Sequence, residues 1–406
     1  MKIMIMAQHY APEEVSGMAT QLAADLASRG HLVSFVTCAP NYPYGRVYSG
    51  YRNPLLAKEK HGAVSVFRTW SYISSRHSFW ARLINMITFS MTTFYGGLAA
   101  GKPDIIFSYT PPLTLGITAW LLSKIWRIPW VMRIEDIFPD AAIAAGVIHG
   151  KLLIQLLYAL ERFLYLRATQ ISMISEGFRQ ILLKKGISKD KLSVTTVWID
   201  PNAIEVLPKE NDFRKEHDLS GKFILMYTGN MGHTSALEDV VAGAARLSDE
   251  PDVRFVLVGE GTKKKMLQAR TQELGLKNIL FLPNPPREKY STLLAAADIG
   301  LVTLNPKSAF FSLPFKTFNI MASARPVLAV TPENSEIAEL ITKHNCGVNV
   351  PTNDPDSFSQ TVKRVMKDTQ LTDELGHNGR VITEGQYSRQ ACIDQIEKLL
   401  LDTVKK

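Results

Sequence analysis

The sequence predicts an α/β protein with two tandem doubly wound domains, each a parallel sheet with helices on both faces. Strand-like apolar runs alternate with helical stretches along the whole chain, and this alternation starts afresh after Pro201. The length of 406 residues also exceeds what one hydrophobic core usually fills. Two such domains facing each other would enclose a cleft at the carboxyl ends of their strands, where open parallel sheets bind ligands.

The first half alternates short apolar runs with helical segments. Apolar and β-branched residues predict strands at 2–7, 32–37, 64–68, 104–108, 130–133 and 170–174, and a helix at about 18–28 follows a loop containing Pro12 and Gly17. These elements form the predicted first domain, residues 1–205.

The second half repeats this layout. Lys222 opens a strand that ends in a glycine loop, as Lys2 opens the first strand of the chain, and a helix follows at about Ser235. Further strands are predicted at 253–258, 279–282, 299–303, 327–330 and 347–350. The polar segment 206–218 is the expected linker. The second domain is therefore predicted at 206–387, and we expect a final helix at about 388–406 to pack back on the first domain.

Composition indicates a folded protein in a reducing compartment. Apolar residues make up 46% of the chain and charged residues 21%. The three cysteines, Cys38, Cys346 and Cys392, lie far apart and match no metal-ligand spacing. The N-terminus reads as a first strand rather than a signal peptide. We therefore expect a cytoplasmic protein.

The excess of positive over negative charge lies entirely in the first half. Residues 1–205 hold 21 Lys and Arg against 13 Asp and Glu, whereas residues 206–406 hold 25 of each. Such a half would be attracted to an anionic surface, either nucleic acid or the inner face of a membrane. The chain contains no helix-turn-helix, RRM or zinc pattern, so nucleic acid is disfavoured as a partner.

Two uncharged segments, 83–101 and 105–123, favour the membrane. A transmembrane helix is the least favoured reading, since the first segment contains Asn85 and Gly96-Gly97 and the second contains Pro111-Pro112. Two readings stay open: helices buried within the domain, or an apolar face rimmed by basic residues that rests on lipid. We expect peripheral attachment to the inner face of the cytoplasmic membrane.

Four loops of the second half follow strands and suit close backbone approach. They are 228–232, 258–261, 282–286 and 311–317. Glycine after a strand lets backbone N–H groups reach a phosphate that a Cβ would obstruct, although a glycine at such a place is often only a turn. In the fourth loop, Pro314 suits a first helical position. The N–H groups of Phe315, Lys316 and Thr317, with the Lys316 ammonium, are then predicted to face an anion. The alternative is an ordinary surface helix feeding a strand.

In the first half the chemistry-bearing cluster is 133–140, with Glu135 and Asp136 at the end of a strand. Adjacent carboxylates suit the positioning of a hydroxyl or the protonation of a leaving group. The alternative is an ion pair of Arg133 with one acid and a helix cap by Asp136 or Asp140.

Two further candidates lie elsewhere in the chain. His9 follows the first strand, where it either faces the cleft or is a turn residue. Asp354 and Asp356 resemble a metal-binding pair, but a predicted helix at Ser357 makes a helix cap the better interpretation, and no metal is assigned.

These motifs together resemble a known family. The stretches that carry the resemblance are QHYAPE (8–13), RGHLV (29–33), PNYP (40–43), GY (50–51), EDIFPD (135–140), ISEGF (174–178), GNMG (229–232), VGEG (258–261), AAAD (295–298), PFKTFNIMA (314–322) and LGHNGR (375–380). The chain is similar to bacterial family-four glycosyltransferases of the GT-B fold, and most similar to those assigned to L-fucosamine transfer in surface-polysaccharide pathways.

The resemblance implies roles for particular residues. The second domain would bind a nucleotide sugar and the first an acceptor, with no metal or other cofactor. The donor-binding residues would be Ser16, Gly17, Gly229, Asn230, Gly232, Gly259, Glu260, Gly261, Asn284, Phe311, Pro314, Phe315, Thr317 and Asn319. The acceptor-binding residues would be His9, Asn41, Tyr42 and Arg133. The catalytic residues would be Asp136, Glu135 and Lys316, with the first two at the acceptor hydroxyl and Lys316 at the diphosphate.

The chain departs from the family pattern at three places. Relatives carry two glutamates eight positions apart where this sequence has Phe311 and Asn319. The loop 229–232 is not followed by the Arg or Lys of many relatives, which leaves Lys316 as the main cation. Ser16-Gly17 stands where a Gly-Gly pair is usual.

The resemblance implies transfer of a sugar from a nucleoside diphosphate, UDP favoured over GDP, to a lipid-diphosphate-linked saccharide with retention of configuration. A 6-deoxy amino sugar such as N-acetylfucosamine would suit an apolar Phe311. Two rival functions stay open: a non-hydrolysing sugar-nucleotide epimerase, and a nucleotide-sugar-binding protein that has lost catalysis.

Overall fold

The computed structural model describes residues 1–76, 78–144, 146–148 and 150–405. It divides into two compact units, the first comprising Met1–Thr196 with the chain from Cys392 onward, the second Val197–Ala391. The boundary that we expected at 205 therefore lies inside the second unit.

The first unit is built on a sheet in which, over the described residues, eight strands follow the order β3-β4-β2-β1-β5-β6-β7-β8. Its strands are β1 (Lys2–Met6), β2 (Leu32–Cys38), β3 (Leu56–His61), β4 (Val64–Thr69), β5 (Ile105–Thr110), β6 (Trp130–Ile134), β7 (Gln170–Met173) and β8 (Leu192–Val194). Its helices are α1 (Gly17–Ser28), α2 (Phe79–Ala100), α3 (Leu115–Trp126), α4 (Asp140–Ala144), α5 (Lys151–Arg167) and α6 (Glu176–Lys184). Every residue of β5 and β6 is buried, as in central parallel strands that have helices on both faces.

Two strands of this sheet were not predicted. Strand β3 pairs antiparallel with β4 at the sheet edge, and its sequence LAKEKH alternates half-buried and exposed residues. Its charged side chains suit an edge strand. Because of these charges β3 is not an apolar run, so the sequence did not predict it. Strand β8 was missed because it has only three residues.

The second unit has a six-stranded parallel sheet over the described part of the chain, in the order β11-β10-β9-β12-β13-β14. Its strands are β9 (Phe223–Thr228), β10 (Val253–Val258), β11 (Ile279–Leu282), β12 (Ile299–Thr303), β13 (Val327–Val330) and β14 (Gly347–Val350). Its helices are α7 (Asp212–Glu216), α8 (Leu237–Ala245), α9 (Lys264–Glu273), α10 (Tyr290–Ala295), α11 (Lys316–Ala322), α12 (Glu336–Lys343), α13 (Pro355–Lys367) and α14 (Thr369–Glu384). All six predicted strands of this unit are confirmed.

Residues of β9 alternate between two apolar layers. Leu225 and Tyr227 join the cluster that includes Phe358 of α13, whereas Ile224 and Met226 join a smaller cluster on the other face. This alternation is what a sheet covered by helices on both faces requires. The glycine loops predicted from the sequence follow the carboxyl ends of β9 and β10.

The last helix, α15 (Arg389–Val404), lies with the first unit from Cys392 onward. Arg29, after α1, forms ion pairs of 2.7 Å with Asp394 and 2.5 Å with Glu397, and the Nε2 atom of His31 lies 2.7 Å from Glu397. Asp354 caps α13 by accepting a hydrogen bond of 2.9 Å from the Ser357 N–H, as the sequence predicted.

Candidate active site

Each sheet has one point at which its strand order reverses. In the first unit β1 lies between β2 and β5, and in the second unit β9 lies between β10 and β12. Helices that leave neighbouring strands at such a point turn to opposite faces and open a crevice at the carboxyl ends of the strands. The loops after β1 and β9 therefore mark the candidate half-site of each unit.

In the second unit two glycine loops pack against each other. The N–H of Gly229 donates to the Val258 carbonyl at 2.9 Å, and the N–H of Met231 donates to the Glu260 carbonyl at 2.8 Å. A Cβ on Gly259 would lie 2.0 Å from the Gly229 carbonyl oxygen, and one on Gly261 would lie 2.4 Å from that of Met231. Gly259 and Gly261 are therefore needed for loop-to-loop packing, a role that the sequence did not suggest.

Lys316 lies under the first of these loops. Its Nζ atom is 3.5 Å from the centre of the Tyr227 ring, and a Cβ on Gly229 would lie 3.1 Å from that nitrogen. Burial lowers the pKa of the Lys316 ammonium from 10.5 to about 7. The Tyr227 hydroxyl donates to the Asn230 carbonyl at 2.7 Å. Tyr227 therefore supports both the cation and the loop, and sequence reasoning missed it because it looks like any core aromatic of a strand.

Helix α11 begins later than predicted. Its first residue is Lys316 with Phe315 as the cap, so Pro314 precedes the helix. The Thr317 N–H already donates to the Pro314 carbonyl at 3.0 Å, and the Thr317 side chain is fully buried. The Thr317 N–H is therefore engaged within the protein, whereas its buried Oγ1 has no hydrogen-bond partner among the described residues, and the donor contact of Thr317 stays a prediction. Phe315 is exposed, and within the described residues the N–H groups of Phe315 and Lys316 have no backbone acceptor.

Phe311 and Asn319, which stand where the resemblance implies glutamates, have different surroundings. Asn319 donates its Nδ2–H to the Tyr290 hydroxyl at 3.2 Å, and that hydroxyl lies 3.5 Å from Thr228 Oγ1 at the end of β9. The side-chain oxygen of Asn319, Oδ1, is left without a partner among the residues described, so it can accept a hydrogen bond from a ligand hydroxyl. Phe311 is half-buried in the turn after β12, where its N–H donates to the Ser308 carbonyl at 3.1 Å.

Asn284 lines a cavity of about 360 Å³ at the carboxyl ends of β10 and β11. Val258 and Leu282 form its strand side, and Phe213 and His217 close it from α7 and its C-terminus. The Glu260 side chain, another predicted contact, is exposed and forms an ion pair of 2.7 Å with Lys264. Asn284 thus has a cavity beside it that could hold a flat ring, whereas the Glu260 carboxylate is engaged elsewhere.

In the first unit, Glu13 organises the half-site. Its buried carboxylate accepts a hydrogen bond from His9 Nδ1 at 3.0 Å and from the N–H groups of Asn41 and Tyr42, each at 2.7 Å. Burial opposes ionisation of Glu13, but these hydrogen bonds outweigh it and hold its pKa below the usual value. We predicted that His9, Asn41 and Tyr42 contact the acceptor. The structure brings these three residues together through Glu13, whose role the sequence analysis missed.

These three residues line a cavity of about 310 Å³ in the first unit. Gln8, Arg76, Arg82 and Asn85 also line it, with Gln8 Nε2 donating to Asn85 Oδ1 at 2.5 Å. The wall is therefore rich in amide and cationic groups, which suit hydroxyls and anions. Arg76 and Arg82 come from the segment that opens α2, and only their position in the fold brings them to His9.

The adjacent acids Glu135 and Asp136 follow β6. Burial raises the pKa of Glu135, which Arg133 partly offsets, with 3.9 Å between Arg133 Nε and the carboxylate. The Asp136 side chain reaches solvent, yet the surrounding protein and the negative charge of Glu135 raise its pKa to about 7. Asp136 can therefore exchange a proton near neutrality.

Arg133 is not an acceptor ligand. Its side chain is 1% exposed, and its guanidinium donates to Ser172 Oγ at 3.0 Å, to Thr195 Oγ1 at 2.6 Å and to the Thr195 carbonyl. The predicted acceptor contact is wrong because β7 and the segment after β8 bury this side chain. The ion-pair alternative describes it better.

Ser16 and Gly17 open helix α1. The Ser16 hydroxyl donates to the Glu13 carbonyl at 2.6 Å and its N–H donates to the same oxygen at 3.1 Å. Neither donor of Ser16 is free for a diphosphate, so this predicted contact is wrong. A Cβ on Gly17 would meet nothing within 4 Å, and its donor contact stays a prediction.

Comparison with known proteins explains this pair of half-sites. Residues 208–382 match the model of the glycosyl transferases group 1 family, and residues 15–198 match the glycosyl transferase 4-like domain. The chain is 30% identical over 353 residues to WcaI of Escherichia coli (strain K12), which is named as a colanic acid biosynthesis glycosyl transferase; the match covers 84% of this chain and 86% of WcaI. The protein is a group 1 glycosyltransferase.

Other relatives of this glycosyltransferase agree. WbjE of Pseudomonas aeruginosa, named as a glycosyltransferase, is 25% identical over 298 residues, which cover 73% of this chain and 74% of WbjE. Among solved structures, sucrose-phosphate synthase of Thermosynechococcus elongatus superimposes with a TM-score of 0.76 at 17% identity, covering 99% of this chain and 98% of the synthase. Anabaena HepE, solved with UDP, gives 0.72 at 16% identity over 99% of this chain and all of HepE. The fold of the glycosyltransferase is GT-B, with two Rossmann-like domains.

Two further observations concern ions and membranes. In the described parts of the glycosyltransferase no group of three or more His, Cys, Asp or Glu side chains is arranged to hold a metal ion; metal independence stays a prediction. No helix over those residues is both long enough and apolar enough to cross a bilayer.

Proposed function

We propose that this glycosyltransferase moves a sugar from a nucleoside diphosphate, UDP rather than GDP, onto a hydroxyl of a lipid-diphosphate-linked saccharide. The reaction would proceed with retention and without a metal, at the inner face of the cytoplasmic membrane, in the synthesis of a bacterial surface polysaccharide. One observation carries the donor side of the proposal: the Lys316 ammonium lies under the Gly229 loop, where the strand order of the second sheet reverses.

The leaving diphosphate is where negative charge develops during transfer. A cation held in a partly buried site stabilises that charge more strongly than one in water. Lys316 is such a cation, and the N–H groups of Phe315 and Lys316 provide donors beside it. In this proposal the base lies beside Asn284 and the ribose hydroxyls donate to Asn319.

The acceptor half of the proposal uses the cavity lined by His9, Asn41 and Tyr42. Asp136 would accept a hydrogen bond from the attacking hydroxyl, with desolvation by the surrounding protein and then the charge of Glu135 raising its pKa to about 7. Holding both substrates in a reactive orientation removes much of the entropic barrier to a bimolecular reaction. The names of WcaI and WbjE, a colanic acid glycosyl transferase and a glycosyltransferase, support the reaction class.

The sugar is proposed to be a 6-deoxy amino sugar such as N-acetylfucosamine. Phe311 stands where relatives place a glutamate, and an aromatic ring favours a methyl over a hydroxymethyl group by about 1 kcal/mol. Equal turnover of the donor that carries the hydroxymethyl group would contradict this choice.

The experiment incubates the protein with a panel of UDP- and GDP-sugars, with and without a bacterial membrane extract, and follows nucleotide release and the product sugar. Transfer predicts nucleotide release that depends on the extract and incorporation of sugar into lipid. Lys316→Met should lower turnover at saturating donor at least tenfold, because the leaving diphosphate loses its cation. Addition of a chelator should leave transfer intact.

Two other outcomes would replace the proposal. Conversion of the donor sugar without extract would indicate an epimerase. Binding of the nucleotide sugar without any release would indicate a protein that has lost catalysis.

A further inference from the structure

Helix α2 turns an apolar face toward solvent. Its exposed positions include a series of large apolar or aromatic side chains with exposures from 40% to 69%: Trp80, Ile84, Ile87, Met91, Tyr95 and Leu98. Successive members are three or four positions apart, so they form one stripe along the helix. We call these six residues the α2 stripe.

Several uncharged polar side chains of the same helix bond to groups of the domain. Asn85 Nδ2 donates to the Tyr72 carbonyl at 2.7 Å, and Thr92 Oγ1 donates to the Trp70 carbonyl at 2.5 Å. Ser90 Oγ lies 2.7 Å from Thr114 Oγ1, on the loop that opens α3. Helix α2 is therefore amphipathic in the inverse sense to a water-facing helix, with hydroxyl and amide groups inward and apolar groups outward. The sequence alone left open whether this segment is buried or rests on lipid.

The exposed apolar α2 stripe indicates an interaction site. Large apolar side chains gain free energy when they leave water, and contiguous exposed apolar surface marks an interaction site. The α2 stripe runs for most of a helix of 22 residues, which is about 33 Å long. A partner that covers it must be apolar over that length.

The charges around the stripe select the partner. Neither α2 nor α3 contains an acidic residue, and Arg82, Lys124 and Arg127 are exposed on α2, on α3 and at its end. The two helices are in close contact, since a Cβ on Gly97 would lie 2.5 Å from Leu122 Cδ1. A second copy would bring like charges together, whereas a bilayer with anionic headgroups offers acyl chains to the stripe and opposite charge to its rim.

We infer that the α2 stripe inserts into the interface of an anionic bilayer, with helix α2 lying parallel to the membrane plane. Arg82 belongs both to this helix and to the wall of the cavity that contains His9. A lipid-borne acceptor could thus reach that cavity from the membrane surface with its phosphates near Arg76 and Arg82. This inference rests on the proposed function, which puts the enzyme at the inner face of the membrane. Vesicle binding is measured separately from sugar transfer, so either one can fail while the other holds.

The test is co-flotation of the purified full-length protein with vesicles of phosphatidylcholine, with or without phosphatidylglycerol. The parent should bind the anionic vesicles, and Ile84→Ser, Met91→Ser and Tyr95→Ser combined should weaken binding more than tenfold. The control combines Met266→Ser, Leu274→Ser and Val381→Ser, three exposed apolar side chains of the second unit, and should bind as the parent does. Lys124→Gln with Arg127→Gln should reduce the preference for anionic vesicles several-fold.

Thermal unfolding and UDP affinity show whether the stripe variant is still folded when its vesicle binding is measured. The stripe variant should keep the parent's thermal unfolding and UDP affinity, because its substitutions are exposed and lie outside both half-sites. Vesicle binding that is absent in the parent, or unchanged in the stripe variant, would overturn the inference. So would a dimer of the parent that the stripe variant loses, since the stripe would then be covered by a second copy.

Discussion

At the scale of single residues, the environment of Lys316 determines what it can do. In isolation a lysine is charged at every physiological pH, but here burial brings its pKa to about 7. Between that value and 10.5 the unfolded chain binds more protons than the folded one, so the charged ammonium costs stability below pH 7 and this cost disappears as the pH rises. A bound diphosphate reverses the preference, because an adjacent anion favours the ammonium.

This linkage gives a prediction for nucleotide binding. At pH 8 the free enzyme holds Lys316 largely uncharged, so binding of UDP should take up close to one proton per site, and affinity should fall as the pH rises above 7. Titration calorimetry in buffers of different ionisation enthalpy measures this uptake. In Lys316→Met the uptake should vanish and UDP should bind more weakly. Binding by the parent without proton uptake would contradict the combination of a lowered Lys316 pKa and contact between this ammonium and the diphosphate.

Arg133 has a structural role, and the prediction follows from its burial. Arg133→Met removes the donor for Ser172 and Thr195 and leaves Glu135 without its cation, so it should lower the free energy of unfolding by about 3 kcal/mol. Urea unfolding measures this loss. The KM for the acceptor should stay close to that of the parent. A large rise in that KM with unchanged unfolding would restore Arg133 as an acceptor ligand.

At the scale of elements, the donor half-site depends on two loops that fit each other. Asn230 is held by Tyr227 and Gly259 lies against Gly229, so the conformation of one loop fixes the other. The sequence showed both glycine loops but not their contact. That contact joins residues that follow different strands, and only the pairing of β9 with β10 makes them neighbours.

Gly259→Ala tests this packing. The residue has a φ of +143° and its new Cβ would lie 2.0 Å from a backbone oxygen, so we expect a loss of about 3 kcal/mol or more and weaker UDP binding. The matched control is Gly275→Ala, which has a φ of +62° with nothing within 4 Å of its Cβ. The control should cost about 1 kcal/mol and leave UDP affinity intact. Equal effects of both substitutions on UDP affinity would refute loop packing as the cause.

At the scale of the whole molecule, the chain passes from the first unit to the second after Thr196 and returns at Cys392. Glu397 holds helix α15 on the first unit, because its carboxylate accepts hydrogen bonds from Arg29 and His31. Burial opposes ionisation of Glu397, but these two hydrogen-bonded partners outweigh it and lower its pKa. Because the folded-state pKa is below the unfolded value, this contact stabilises the protein at neutral pH and is lost as the pH falls through the folded-state pKa.

Glu397→Gln should therefore lower the free energy of unfolding by about 1 kcal/mol at pH 7, with a smaller difference in acid. Chemical unfolding at several pH values measures it, and the KM for the donor should stay unchanged. Glu384→Gln is the control, because the Glu384 side chain is 52% exposed and pairs with Arg380 one turn away on the same helix, so it should contribute less. A difference that grows toward low pH would contradict the assignment.

The sequence by itself determined the two Rossmann-like domains, their central strands and the loops that carry the site. Buried parallel strands are continuous apolar runs, and the residues that follow them are recognisable without a structure. It also identified Lys316, Asn319, His9 and Asp136 as candidates.

Only the tertiary structure decided which candidates can contact a ligand. Segments distant in the chain bury Arg133, Glu13 organises the half-site of the first unit, Tyr227 supports the glycine loop of the second unit, and helix α2 turns its apolar side outward. The physical reason is that local sequence fixes periodicity and turn chemistry, whereas burial, pKa and the direction of a face depend on neighbours that folding brings together.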